Sequence, residues 1–219
     1  GSGVLTSGEL EPMTVFRFAF GCMVFASLIG IYIAMNSTWV VIPVVIVALI
    51  TIYFYTPIFA KIYLGELITG INFGPMVSIG GYLSLAGKFG YSSLYAGIIP
   101  GILVGTLLYL NEFPDIEADK SVGRRNIVIS LGLERASYGY GVIVASVYLW
   151  VAYTVITGLL PWTVAVTYLT LPIGFKAVKG VIDNRGSIPE SIPYLGENVN
   201  LTLSMTALTS IGLVLSILV

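Results

Sequence analysis

Apolar and polar positions along the chain sort into seven long apolar runs separated by short polar stretches. The runs cover residues 14–35, 39–59, 67–86, 92–110, 138–157, 160–178 and 199–219. Each is about 20 residues long, and at 1.5 Å rise per residue that length crosses the ~30 Å hydrocarbon layer of a bilayer. Inside that layer every backbone polar group needs an internal partner, which only helices and closed barrels supply. The runs are continuous rather than alternating, so they predict helices. The third run carries Gly70, Asn72, Gly74, Pro75, Gly80 and Gly81. It predicts a broken or tightly packed helix, with a re-entrant segment as the alternative. Gly97, Gly101 and Gly105 stand four apart in the fourth run, giving that helix a smooth stripe for close packing. The expected fold is all-α: a polytopic transmembrane helix bundle, seven helices in one domain over residues 1–219.

Composition agrees with lipid as the main solvent. Of 219 residues, 57% are hydrophobic and 10% charged, against roughly 25% charged in a soluble domain. A secreted or cytosolic globular enzyme is excluded. With no histidine and a single cysteine, Cys22, the chain offers no zinc cage, iron–sulfur ligand set or histidine base. Any metal must therefore be held by oxygen. A net charge of −1 predicts no nucleic-acid partner.

Charge placement tests the helix count. With seven spans, Arg17, Lys61, Lys120, Arg124, Arg125, Arg135, Lys176, Lys179 and Arg185 fall on one side and only Lys88 on the other. All 11 carboxylates share the lysine-rich side. The positive-inside rule puts that side in the cytoplasm and the carboxyl terminus outside. A multi-pass protein of the cell membrane follows, with its ionisable chemistry on one face. Transporters usually carry ionisable groups near the midplane and inverted repeats, and neither pattern is evident.

The stretch after the fourth run, residues 111–126, reads NEFPDIEADKSVGRRN. Asp115 and Asp119 are four apart and share a helix face, with Asn111 one turn earlier provided Pro114 does not bend the path. Like charges at that spacing cost roughly 0.2–0.5 kcal/mol on an exposed helix, and a shared cation would turn that repulsion into a site. Carboxylates and an amide oxygen suit Mg2+, which commonly bridges one or two carboxylates to substrate phosphates. Arg124 and Arg125 are placed to grip phosphate oxygens, while Glu117 points to another face. The alternative is a solvated, charged loop.

This stretch resembles the second aspartate-rich motif of the UbiA superfamily of intramembrane prenyltransferases: Asn111, Asp115 and Asp119, then Gly123-Arg124, then Leu131-Gly132. Tyr55-Thr56-Pro57, Lys61, Gly65-Glu66-Leu67 and Phe73-Gly74-Pro75 resemble the naphthoate-prenylating (menaquinone-pathway) branch, and Gly3 to Gly8 is a weaker match. The resemblance implies a nine-helix bundle whose first two helices carry an Asn-Asp motif facing the second one. Those two helices and that motif are not in this chain, so half of the expected metal site is present.

The resemblance implies an integral membrane prenyltransferase of quinone biosynthesis. It would move a polyprenyl group from its diphosphate to an aromatic quinone precursor by Mg2+-assisted ionisation, within walls that exclude water. Asp115 and Asp119 would hold Mg2+ with Asn111 in support, and Arg124, Arg125, Lys61 and Tyr55 would contact the diphosphate. For Tyr55 an interfacial aromatic at a helix end is an equal alternative. Partners would be the polyprenyl diphosphate, an aromatic or lipid acceptor and the bilayer. Two other readings stay open: prenylation of a glycerol lipid phosphate in ether-lipid synthesis, and a non-catalytic transporter or membrane scaffold. The Asp-Gly followed by Ala-Arg pattern of membrane phosphoalcohol transferases does not occur.

Overall fold

In a computed structural model, residues 4, 5, 7–121, 123–185 and 187–218 are described. They form helices and turns with no strand among them. In chain order, α1 is Pro12–Asn36, α2 Val41–Tyr55, α3 Gly65–Ile71, α4 Val77–Ala86, α5 Tyr91–Ser121, α6 Ile127–Ile156, α7 Leu171–Asp183 and α8 Ile188–Leu218. A π-type segment, Asn72–Met76, joins α3 to α4, and a 3₁₀ segment, Trp162–Thr170, leads into α7. Pairing these halves yields seven rods, matching the seven apolar runs. Five are long and apolar enough to cross a membrane by themselves: α1, α5, α6, Trp162–Asp183 and α8. The chain is a multi-pass membrane protein.

The rods overrun the apolar boundaries that hydropathy suggests. α5 continues through Pro114 to Ser121, α6 begins at Ile127 and α8 at Ile188. Hydropathy marks where lipid ends, whereas a helix ends where its backbone hydrogen bonds stop being propagated. At about 1.5 Å per residue, the 31 residues of α5 extend roughly 46 Å, well beyond the ~30 Å hydrocarbon layer. Its acidic last turns therefore stand in the polar interface.

The main core lies among α5, α6, α8 and the 3₁₀ segment, around Ile99, Leu103, Tyr140, Val147, Leu201 and Met205. Lipid supplies little hydrophobic drive between helices, so polar ties and small residues carry much of the specificity. Asn198 Oδ1 accepts from Thr106 at 3.1 Å and from Tyr140 at 3.0 Å. Thr163 Oγ1 donates to the Gly212 carbonyl at 2.6 Å. A smaller cluster, Ala34, Val41 and Leu83, joins α1, α2 and α4.

The third run is one continuous, tightly packed helical rod, widened at its π-type segment and not broken there, and its glycines serve a close approach. A methyl group at Gly74 would lie 2.3 Å from the Gly101 Cα, and one at Gly70 would lie 2.6 Å from the Gly101 carbonyl oxygen. The stripe on α5 thus receives the backbone of α3 and the π-type segment. Pro75, which cannot donate a backbone hydrogen bond, is accommodated by the widened turn. The contact sets the first part of α3 beside the charged end of α5.

Candidate active site

The charged end of the bundle is built by how α5 stops. Gly123 has φ +71, a left-handed conformation that favours glycine. Its N–H donates to the Lys120 carbonyl at 3.1 Å, and the Arg124 N–H donates to the Asp119 carbonyl at 3.0 Å. This pair of bonds is the Schellman closure of a helix C-terminus. The fold-back returns the Arg124 side chain to Asp119, where Nη1 donates to Oδ1 at 3.0 Å. Asn126 completes the knot: its Nδ2 donates to Asp119 Oδ2 at 3.1 Å, while its Oδ1 accepts from the Ile129 N–H at 2.8 Å and caps α6. Asn126 thereby ties Asp119 to the start of the next helix. A few residues on, Gly132 breaks the first turns of α6 with φ 73, which gives the glycine of the Leu131-Gly132 pair a backbone reason.

The residues singled out from sequence lie together at this end in distinct environments. α5 runs on through Pro114, so Asn111, Asp115 and Asp119 occupy successive turns of one helix. Asn111 and Asp115 are exposed, whereas Asp119 is buried. Arg124 is half-buried and engaged with Asp119, so it enters any anion site with its remaining donors only. Arg125 is exposed, as is Lys61 at the end of a short 3₁₀ turn, Phe59–Lys61. Glu117 pairs with Lys120 at 3.0 Å on the outer face of α5, away from Asp119. Tyr55, half-buried at the end of α2, lies within the electrostatic reach of Arg124, Glu112 and Glu66; the structure brings it to the site.

Sequence reading assigned no role to Glu66, Glu112 or Asn126. Glu66, near the start of α3, is 8% exposed, and Glu112 on α5 is 7% exposed. Their Oε1 and Oε2 respectively lack any hydrogen-bond partner. A legible signal existed for Glu112, which stands seven residues before Asp119 and so on the same side of the helix. Glu66 lines a cavity of about 370 Å³ with Gly70, Pro75, Gly105, Tyr109 and Ile143. A second, larger groove of about 680 Å³ runs from Tyr55 along α1, α2 and α4, past Leu49, Val45 and Gly30. Its lining is almost wholly apolar.

The donor chemistry fits a hard divalent cation. Each Asp119 oxygen spends one lone pair on its hydrogen bond and keeps another, and Asp115 is open to solvent. Among the described residues no group of three or more His, Cys, Asp or Glu forms a metal cage. A Mg2+ here would need water and substrate phosphate beside the two carboxylates.

A helical membrane bundle with a charged mouth above apolar grooves is the class that fold and site define. A match to the UbiA prenyltransferase family over residues 3–192 shows that the chain belongs to that family. It is 32% identical over 187 residues to 1,4-dihydroxy-2-naphthoate octaprenyltransferase of Bacillus subtilis, covering 83% of this chain and 60% of that protein. It is 30% identical over 146 residues to 2-carboxy-1,4-naphthoquinone phytyltransferase of Synechocystis, covering 65% of this chain and 48% of that protein. The chain thus spans about half to three-fifths of the length of these relatives. No solved structure matches it significantly.

Proposed function

We propose that this chain forms the larger part of a nine-helix intramembrane enzyme, the family's first two helices completing it. That enzyme transfers a polyprenyl group from its diphosphate to a bicyclic aromatic precursor of a quinone. The observation that carries the reading is the knot of Asp119, Arg124 and Asn126 beside exposed Asp115 and Asn111, at one polar end above an apolar groove. The names of both relatives point to a naphthalene-type acceptor.

Asp115 and Asp119 would hold Mg2+, with Asn111 in support; when bound, the ion supplies charge neutralisation for the departing diphosphate. Arg125 and Lys61, exposed at the mouth, and the remaining donors of Arg124 bind diphosphate oxygens. Tyr55 stands where the mouth meets the groove, and Leu49, Val45 and their neighbours line a dry path for the prenyl chain. Excluding water there protects an allylic cation from quenching. The charged mouth faces the cytoplasm.

Incubating the complete nine-helix protein with labelled geranylgeranyl diphosphate and each acceptor separately, then weighing the products, tests the assignment. A prenylated naphthoate is expected. A product only with a glycerol lipid phosphate would replace the acceptor and keep the prenyl transfer; uptake of label into vesicles without any product would favour a transporter.

A further inference from the structure

Glu66 and Glu112 are acidic groups that the diphosphate half-site does not use. Both are more than nine-tenths buried, each with one carboxyl oxygen lacking a partner. They come from different rods, α3 and α5, which the glycine contact holds together, and their carboxyl groups lie within hydrogen-bonding reach of each other. Burying unmet acceptors is costly, so the arrangement calls for a donor brought from outside. The neighbouring Tyr109 cannot supply it, because its hydroxyl donates to the Ala136 carbonyl at 3.0 Å.

What the cavity admits narrows the donor. Beside Tyr109 and Ser146, residues such as Gly70, Pro75, Ile102 and Ile143 make most of its remaining wall apolar, which suits a flat hydrocarbon ring and not a hydrated cation, since Mg2+ keeps several waters. Two carboxyl groups would repel a phosphate. The volume of about 370 Å³ lies within the roughly 300–1,000 Å³ usual for small-molecule sites. An aromatic ring that presents hydroxyl groups to the carboxyl pair, with any acidic group of its own turned away from them, satisfies every requirement.

We infer that Glu66, positioned by Glu112, binds a ring hydroxyl of the aromatic acceptor and takes its proton during transfer. The inference rests on the aromatic-acceptor reading above. As the ring carbon attacks, a carbon–carbon bond forms from the ring's π electrons. The allylic carbon–oxygen bond breaks and leaves its electron pair on the diphosphate. The hydroxyl proton passes to Glu66, and the ring oxygen becomes a carbonyl. Glu66 would thus be a catalytic residue and Glu112 a positioning residue.

Binding of a 1,4-dihydroxynaphthoate to the protein in nanodiscs, followed by intrinsic fluorescence without prenyl diphosphate, tests this apart from turnover. Glu66→Gln is expected to weaken acceptor binding about tenfold or more, with affinity for geranylgeranyl diphosphate unchanged within about twofold. Glu112→Gln should do the same to a smaller degree, and Glu66→Asp should partly restore binding. On the unaltered protein, the acceptor's O-methyl ethers should bind about tenfold more weakly than the diol, a comparison that requires no variant to fold. Equal binding of diol and ethers, or Glu66→Gln binding the diol as the unaltered protein does, would overturn the inference while leaving prenyl transfer standing. Failure of the complete nine-helix protein to prenylate any dihydroxyaromatic would overturn the proposed function as well.

Discussion

At Asp119 each carboxylate oxygen already has a protein partner, Arg124 on one and Asn126 on the other, whereas Asp115, one turn earlier, stands exposed. Two aspartates of the same motif should therefore respond differently to removal. Asp119→Ala leaves a half-exposed guanidinium and the amide that caps α6 without their acceptor, and should cost about 1–2 kcal/mol of stability. Asp115→Ala should stay within about 0.5 kcal/mol of the unaltered protein. In the complete protein both should abolish Mg2+-dependent turnover, while Glu117→Ala, on the outer face, should be much milder. Thermal unfolding in detergent beside a turnover assay separates the two effects; if Asp115→Ala unfolds as readily as Asp119→Ala, the assignment of a purely chemical role to Asp115 fails. The four-residue spacing of these aspartates was legible in the sequence because helical periodicity is local. The partnership of Asp119 was not, because it depends on a left-handed turn at Gly123 that sends Arg124 backwards.

Helix contacts show a similar division. The spacing of Gly97, Gly101 and Gly105 announces a packing face, yet nothing local says that Gly70 and Gly74 fill it, since which rods meet is decided by the whole bundle. The same blind spot concealed Glu66 and Glu112, which become neighbours only through that contact. Gly74 is pressed against the α5 backbone, while Gly70 and Gly105 border the cavity. Gly74→Ala would set a methyl group 2.3 Å from the Gly101 Cα, backbone that no side-chain rotation can clear. A loss of about 1–3 kcal/mol is expected, accompanied by weakened acceptor binding as Glu66 shifts away from Glu112. At Gly81 a methyl group meets nothing within 4 Å, and Gly81→Ala inside α4 should be neutral or stabilising by roughly 0.5–1 kcal/mol. Unfolding temperatures of the two variants in one detergent provide the check, and equal losses would mean that α3 and α5 are not held by this contact.

For the whole molecule the governing quantity is the asymmetry of charge between the two membrane faces. The structure adds a length argument to the lysine and arginine count. α5 starts at Tyr91, just after exposed Lys88, and its first twenty or so residues use up the hydrocarbon thickness. Its last turns, with Asp115 and Asp119, must then emerge on the opposite face, beside Lys61, Arg124 and Arg125. If the proposed function and orientation hold, diphosphate substrates made in the cytoplasm would meet this mouth directly, and electrostatic attraction by the basic residues would concentrate them there. Orientation can be read with single cysteines placed in a Cys22→Ser background in intact cells. A cysteine replacing Ser121, exposed at the end of α5, should be blocked only by membrane-permeant maleimides. One replacing Lys88, exposed in the opposite turn, should be blocked by impermeant reagents as well. Removing Lys88 takes away only the single basic residue of the outer face, so the nine remaining on the other side keep the bias that sets orientation. The reverse labelling pattern would put the acidic mouth outside and would sink both the topology and the cytoplasmic supply of substrate; labelling of both positions by impermeant reagents would mean that α5 does not cross the membrane.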